Sequence, residues 1–295
     1  MVDSNQTDPA KGNGLPAFIL GFVPGLLQWQ LGQRQRAVMA FASCTAVLLV
    51  GWSIVGERLF YWGLAVPDGK SSFDSFARLG LPVLPEILNL PAQMFGALMS
   101  FDGSATGLRL QRLPRDFEHI AGWVTAASGM LAAFWAAAGH WDLRLRRDGH
   151  SDEADVAPSP VANPALCAGL SWLVPGLGHA KAGQKDKGAA MGAAVVIVFA
   201  LGLYFSDGHA VDRAQYGVWW IGQNLFGGGS LFAALVTGPL RSVETPLDLD
   251  LGIVLCTVAG LMNLVVMCDA YTVAERTVFP LRSGGRDARG EGAAV

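Results

Sequence analysis

The stretch LVPGLGHAKAGQKDKGAAMG, Leu173–Gly192, decides how this chain is read. Pro175 and Gly176 interrupt an apolar run, Lys181, Lys185 and Lys187 follow, and Gly188-x-x-x-Gly192 opens a second apolar run. Proline breaks the helical hydrogen-bond ladder and glycine accepts left-handed dihedrals, so the first run turns at Pro175-Gly176. Lysines in a short loop anchor that loop at a cytoplasmic membrane face. The stretch therefore predicts an apolar segment that turns, surfaces at a cationic loop and enters the bilayer again.

Working outward, charge-free windows mark four spans: Ala37–Gly56, Ile120–Gly139, Gly188–Ser206 and Leu251–Cys268. Each is close to the roughly 20 residues that a helix needs to cross the hydrocarbon core. Four further apolar runs are broken: Gly12–Gln33 and Val156–Ala180 by Val-Pro-Gly-Leu, Ile87–Phe101 by Asn89, Pro91 and Gln93, and Ala214–Leu240 by Gln223, Asn224 and Gly227–Gly229. Irregular backbone at membrane depth survives only against protein or a water-filled cavity. The broken runs are thus re-entrant, interfacial or additional spans, and the fold class is an all-α membrane protein.

Composition agrees. Of 295 residues, 52% are hydrophobic and 15% charged, against roughly 25% charged in soluble domains. The net charge of −3 speaks against nucleic acid as a partner. The polar start, MVDSNQTDPAKGNG, has no basic region of the kind that opens a signal peptide. Cys44, Cys167, Cys256 and Cys268 lie in apolar runs with no Cys-x-x-Cys and read as small buried hydrophobes.

The opening stretch recurs. FVPGLLQWQLGQRQRAVMAF (Phe22–Phe41) overlays it without gaps, sharing Val-Pro-Gly-Leu with Pro24 and Gly25, the pairs Gly32–Gln33 and Gly183–Gln184, and the cations Arg34/Lys185 and Arg36/Lys187. Later, GLAVPDG (Gly63–Gly69) matches GLYFSDG (Gly202–Gly208), and FGALM (Phe95–Met99) matches FAALV (Phe232–Val236). Each copy closes on an apolar helix ending in aspartate, Asp142 and Asp269. Four landmarks in one order point to a tandem duplication. The organisation is a polar tail (1–14), a first membrane repeat (15–147), an acidic Pro-rich linker (148–163), a second repeat (164–276) and a basic Gly/Arg-rich tail (277–295).

These motifs resemble a group of uncharacterised bacterial membrane proteins, in which a P-G-x-G-[QH]…G…K-G hairpin precedes a D-A near a helix end. The second copy carries Pro175, Gly176, Gly178, His179, Gly183, Lys187, Gly188, Asn263, Asp269 and Ala270. The first has Leu27, Gln28 and Ala37 where Gly178, His179 and Gly188 stand, so a shared site is expected intact only in the second copy. The resemblance implies a multi-pass protein of the bacterial inner membrane and no particular activity.

The cationic loops, with Arg144, Arg146, Arg147 and Arg276, put the Gly-Gln-Lys loops on the cytoplasmic side and the Asp-Gly loops outside. If residues 144–147 are also inside, Val156–Ala180 begins and ends on one side and cannot cross once. Four spans with re-entrant pieces is the preferred topology, and eight spans is the rival.

Chemistry-bearing residues are sparse. No Gly-x-Ser-x-Gly, His-Glu-x-x-His or Walker loop is present, so no catalytic residue or cofactor is expected. His140 and Asp142 are two apart and point different ways from a helix; with Glu118 and His119 they read as interfacial residues rather than metal ligands. The small residues Gly188, Gly192, Gly122, Ala126, Gly129, Ala133 and Ala137 suit close helix packing, internal or between subunits. Asp269 is expected to pair with Lys187 or Lys185. The leading functional expectation is a non-catalytic scaffold or accessory subunit, with the bilayer and other membrane subunits, or a second copy of itself, as partners. The alternative is a transporter or channel with Asn89, Gln93, Gln223 and Asn224 along a polar path.

Overall fold

The computed structural model describes residues 21–55, 86–92, 94, 117–147, 163–213, 216–237 and 246–279. The N-terminal tail, almost all of the C-terminal tail and of the linker, Gln93 and the Asp68-Gly69 loop lie outside the described residues. The described residues form helices and turns, with no strand among them.

Among the described residues four helices are long and apolar enough to span a bilayer: α2 (Arg34–Val55), α3 (Glu118–Arg147), α6 (Lys185–Phe205) and α9 (Leu249–Val278). At 1.5 Å per residue, α2 and α6 are about 30 Å long and α3 and α9 about 45 Å. The four expected windows thus each fall on one long helix. The longer pair run past their windows because Arg144, Arg146, Arg147 and Arg276 occupy their last turns, where cations suit the helix dipole and reach water. Asp142 and Asp269 therefore do not end their helices. Each lies more than a turn inside, beyond the reach of a terminal dipole.

The other described helices are short: α1 (Leu26–Gln30), α4 (Pro164–Leu173), α5 (Leu177–Lys181), α7 (Gly217–Asn224) and α8 (Gly228–Thr237), with a 3₁₀ turn at Glu86–Asn89. Ten residues make about 15 Å of helix, half the hydrocarbon core. Asn163 starts α4, its side-chain oxygen accepting from the N–H groups of Ala165 (3.0 Å) and Leu166 (3.3 Å), with Pro164 in the first turn. Val174, extended before Pro175, stops it.

Gly176, at φ 83°, then reverses the chain. Gly178 packs so tightly that a Cβ there would lie 1.9 Å from Cys167 O, and its N–H donates to Ser171 Oγ at 3.1 Å. So α5 folds back along α4. The sequence motif Gly188-x-x-x-Gly192 serves this turn: a Cβ on Gly188 would sit 2.5 Å from Gly176 O, and one on Gly192 2.3 Å from Pro175 O. The turn thus lies beside Gly192, about 10 Å into α6, and α4–α5 is a hairpin with both ends at the end of the bundle bearing Lys185. The second broken run makes a hairpin from the opposite end, α7 and α8 joined by Leu225–Gly227. A Cβ on Gly208, in the turn after α6, would lie 2.5 Å from Thr237 at the end of α8.

The main core joins α3, α6, α7, α8 and α9. Phe199 stacks on Phe226 at 4.2 Å, and Trp123 meets Trp220 edge-on at 5.2 Å. Cys44, Cys167 and Cys256 are buried as expected, whereas Cys268 is exposed.

Candidate functional site

The tips of the two opposed hairpins meet against the middle of α9. A Cβ on Gly227 would lie 1.8 Å from Trp172 O, so only glycine fits where the turn after α7 presses on the end of α4; its φ of 58° also favours glycine. Trp172 Nε1 donates to Asn224 O at 3.0 Å. Asn263, fully buried on α9, donates from Nδ2 to Ser171 O (3.1 Å) and Leu225 O (2.8 Å), one carbonyl from each hairpin. Helix ends leave carbonyls without intrahelical partners, and at membrane depth water cannot supply one. Asn263 supplies it to both.

Of the residues expected to line a polar path, Gln223 and Asn224 stand at this junction, Asn89 lies against α2, and Gln93 is outside the described residues. Gln223 Nε2 donates to Ala210 O at 3.1 Å and Asn89 Nδ2 to Cys44 O at 3.1 Å. Asn224 contributes its backbone carbonyl, while both polar atoms of its buried side chain, with Asn263 Oδ1 and Gln223 Oε1, have no hydrogen-bond partner among the described residues.

A second cluster joins α5, α6 and α9. His179 Nε2 lies 2.6 Å from Asp269 Oδ2, and Lys187 Nζ lies 2.5 Å from the same oxygen. Of the two lysines offered for Asp269, Lys187 is the one that meets it. His179 is fully buried, and its Nδ1 has no partner among the described residues.

Residues 22–41 show the same local backbone. Gly25 (φ 85°, ψ −10°) and Gly176 (φ 83°, ψ −9°) adopt the same turn. Gly25 closes on Ala37 O as Gly176 closes on Gly188 O. Gln33 N–H donates to Gln28 O as Gln184 N–H donates to His179 O, and Gly32 and Gly183 are both left-handed. Arg36 Nη1 bonds Asp142 Oδ2 at 2.9 Å, as Lys187 bonds Asp269. Gln28, standing where His179 stands, turns instead to Trp135 O at 2.6 Å.

Lys187 and Asp269 are both more than a third exposed, so their pairing contributes at most about 1 kcal/mol. Asp269→Leu also strands buried His179 Nε2, at about 1–3 kcal/mol. The expected outcome is a larger loss of detergent thermostability for Asp269→Leu than for Lys187→Gln, with the double variant losing less than the sum. Thermal unfolding checks this, and simple additivity would show two independent sites.

Sequence reading missed a buried ion pair, Glu86 with Arg213. Arg213 Nη1 reaches Glu86 Oε1 at 2.5 Å and Gly122 O at 2.9 Å, and Thr125 Oγ1 donates to the same Glu86 oxygen at 2.9 Å. The guanidinium lies 4.6 Å from the centroid of the Trp220 ring. Glu86 is 0% and Arg213 4% exposed. The available signal was position: each stands immediately before a broken apolar run.

A cavity of about 700 Å³ opens between α3, α4 and α9, lined by apolar side chains such as Met130, Phe134, Leu170 and Met267. Among the described residues no three His, Cys, Asp or Glu side chains converge as metal ligands.

Residues 166–279, which hold both hairpins and the Asp269 cluster, match the family of unknown function DUF6677. No curated protein and no solved structure matches the chain.

Proposed function

We propose that the chain is a non-catalytic integral membrane subunit, a scaffold or accessory component whose fold is its function. The observation that carries this reading is how the buried amides are used: Asn263, Gln223 and Asn89 bond backbone carbonyls, and the cavity beside α3, α4 and α9 is apolar. Such a core suits a rigid element against which other subunits, or a second copy, assemble. The matching geometry of the Gly25 and Gly176 turns, and of the Arg36–Asp142 and Lys187–Asp269 pairs, supports descent from a tandem duplication. The gathering of Arg34, Arg147, Lys185 and Arg276 at one end of the bundle supports a cytoplasmic position for that end, in the bacterial inner membrane.

The test is affinity purification of the tagged full chain in mild detergent. A partner retained in fixed stoichiometry, or a defined homo-oligomer, is the expected result; a monodisperse monomer that moves a solute in proteoliposomes would overturn the reading. The transporter alternative draws on one observation, the opposed broken helices meeting at Asn263 beside the unpartnered polar atoms of Asn224.

A further inference from the structure

The cavity between α3, α4 and α9 is shaped for one leaflet rather than for the whole bilayer. Its wall on α3 runs from Ala127 to Ala137 and on α9 from Leu264 to Thr272, about 12–15 Å of helix. That is half the hydrocarbon core, because α4, the third wall, is a half-length helix. A spanning partner helix would need twice this depth. The volume of about 700 Å³ falls in the usual range of ligand sites, about 300–1,000 Å³. Leu166 and Leu173, on α4, are 38% and 50% exposed, so the cavity is open to the hydrocarbon side.

The charge at its mouth is basic. The α3 face carrying Met130, Phe134 and Ala137 continues, at helical spacing, as His140, Arg144 and Arg147. Arg144 and Arg147 lie within electrostatic reach of His140. Arg144 also pairs with Glu275 and lies 5.1 Å from the centroid of the Phe279 ring, beside groove-lining Tyr271. Arginine forks match phosphate oxygens, and cations at this depth attract anionic headgroups.

We propose that this groove binds an anionic phospholipid of the adjoining leaflet, one acyl chain lying between α3, α4 and α9 and the phosphate at the Arg144–Arg147 end. Gly169 and Phe134 both line the groove and pack together there, a Cβ on Gly169 lying 3.3 Å from the ring. Gly169→Trp would therefore fill the space the chain needs, and Ala133→Phe does so from the α3 wall.

The test is native mass spectrometry of the full chain, equilibrated in detergent with phosphatidylglycerol and phosphatidylcholine of identical acyl chains. One phosphatidylglycerol per chain, retained at least tenfold over phosphatidylcholine, is expected. Either groove-filling variant that folds, judged by unchanged helical signal and a cooperative melt, should lower retention at least tenfold. Replacing Arg144, Arg147 and Glu275 together with glutamine should keep a bound lipid and remove the preference. Equal retention of the two lipids by the unmodified protein, or full retention by a folded groove-filled variant, would overturn the proposal. So would a dimer that Gly169→Trp dissociates, which would assign the groove to a second copy.

Discussion

Arg213→Met is expected to be the most damaging single substitution in the described core, lowering stability by about 3–5 kcal/mol. It leaves the Glu86 carboxylate fully buried with Thr125 as its hydrogen-bonding neighbour. Desolvating an unpaired charge costs far more than the pair itself contributes, so the loss exceeds the value of the salt bridge. It falls between segments distant in sequence, since Glu86 and Thr125 precede Arg213 and Trp220 by about a hundred residues, and should loosen α7 from α3. Arg213→Met combined with Glu86→Leu removes both charges and should recover most of the stability. Thermal unfolding in detergent separates the two. A double variant as unstable as Arg213→Met would mean that shape and the Gly122 carbonyl bond, not charge, hold this junction.

Asn263→Leu should follow, with a loss of about 2–5 kcal/mol from two buried carbonyls left without donors. Leucine keeps the branching of asparagine but is larger, so overpacking at this fully buried site adds to the loss. Because Ser171 O and Leu225 O belong to different hairpins, both should open together. Hydrogen exchange checks this: protection is expected to fall in both 164–181 and 217–237. A fall confined to one hairpin would mean that Gly227 against Trp172 holds the tips without Asn263.

What the sequence displays is local. Long charge-free windows predict α2, α3, α6 and α9 because a span is defined by its own composition. The turn at Pro175-Gly176 is legible because proline and glycine act on their own backbone, and Gly188-x-x-x-Gly192 announces a close approach without naming what approaches. Partners far apart in sequence are not legible. Glu86 and Arg213 each look like an ordinary charge beside an apolar run, and only the fold buries them face to face. Asn224 looked like a lining residue, yet its backbone carbonyl carries the contact to Trp172. Asp269 was expected at a helix end because charge follows it, but α9 continues to Val278. His179 reads as a residue that caps or pairs near the Pro-Gly turn, but the partner it meets, Asp269, shared with Lys187, lies far away in sequence.

Residues 164–181 and 217–237 form half-depth hairpins that enter from opposite ends of the bundle and meet at Asn263. Single cysteines at Asn163, Lys185, Thr237 and Leu247, in a background without native cysteines, test this arrangement through labelling by a membrane-impermeant maleimide from each side. Asn163 and Lys185 bound the α4–α5 hairpin, while Thr237 ends α8 and Leu247 precedes α9. Asn163 and Lys185 are expected to label from one face, and Thr237 and Leu247 from the other. Asn163 labelling with Leu247 rather than with Lys185 would make residues 164–181 a full crossing and contradict it.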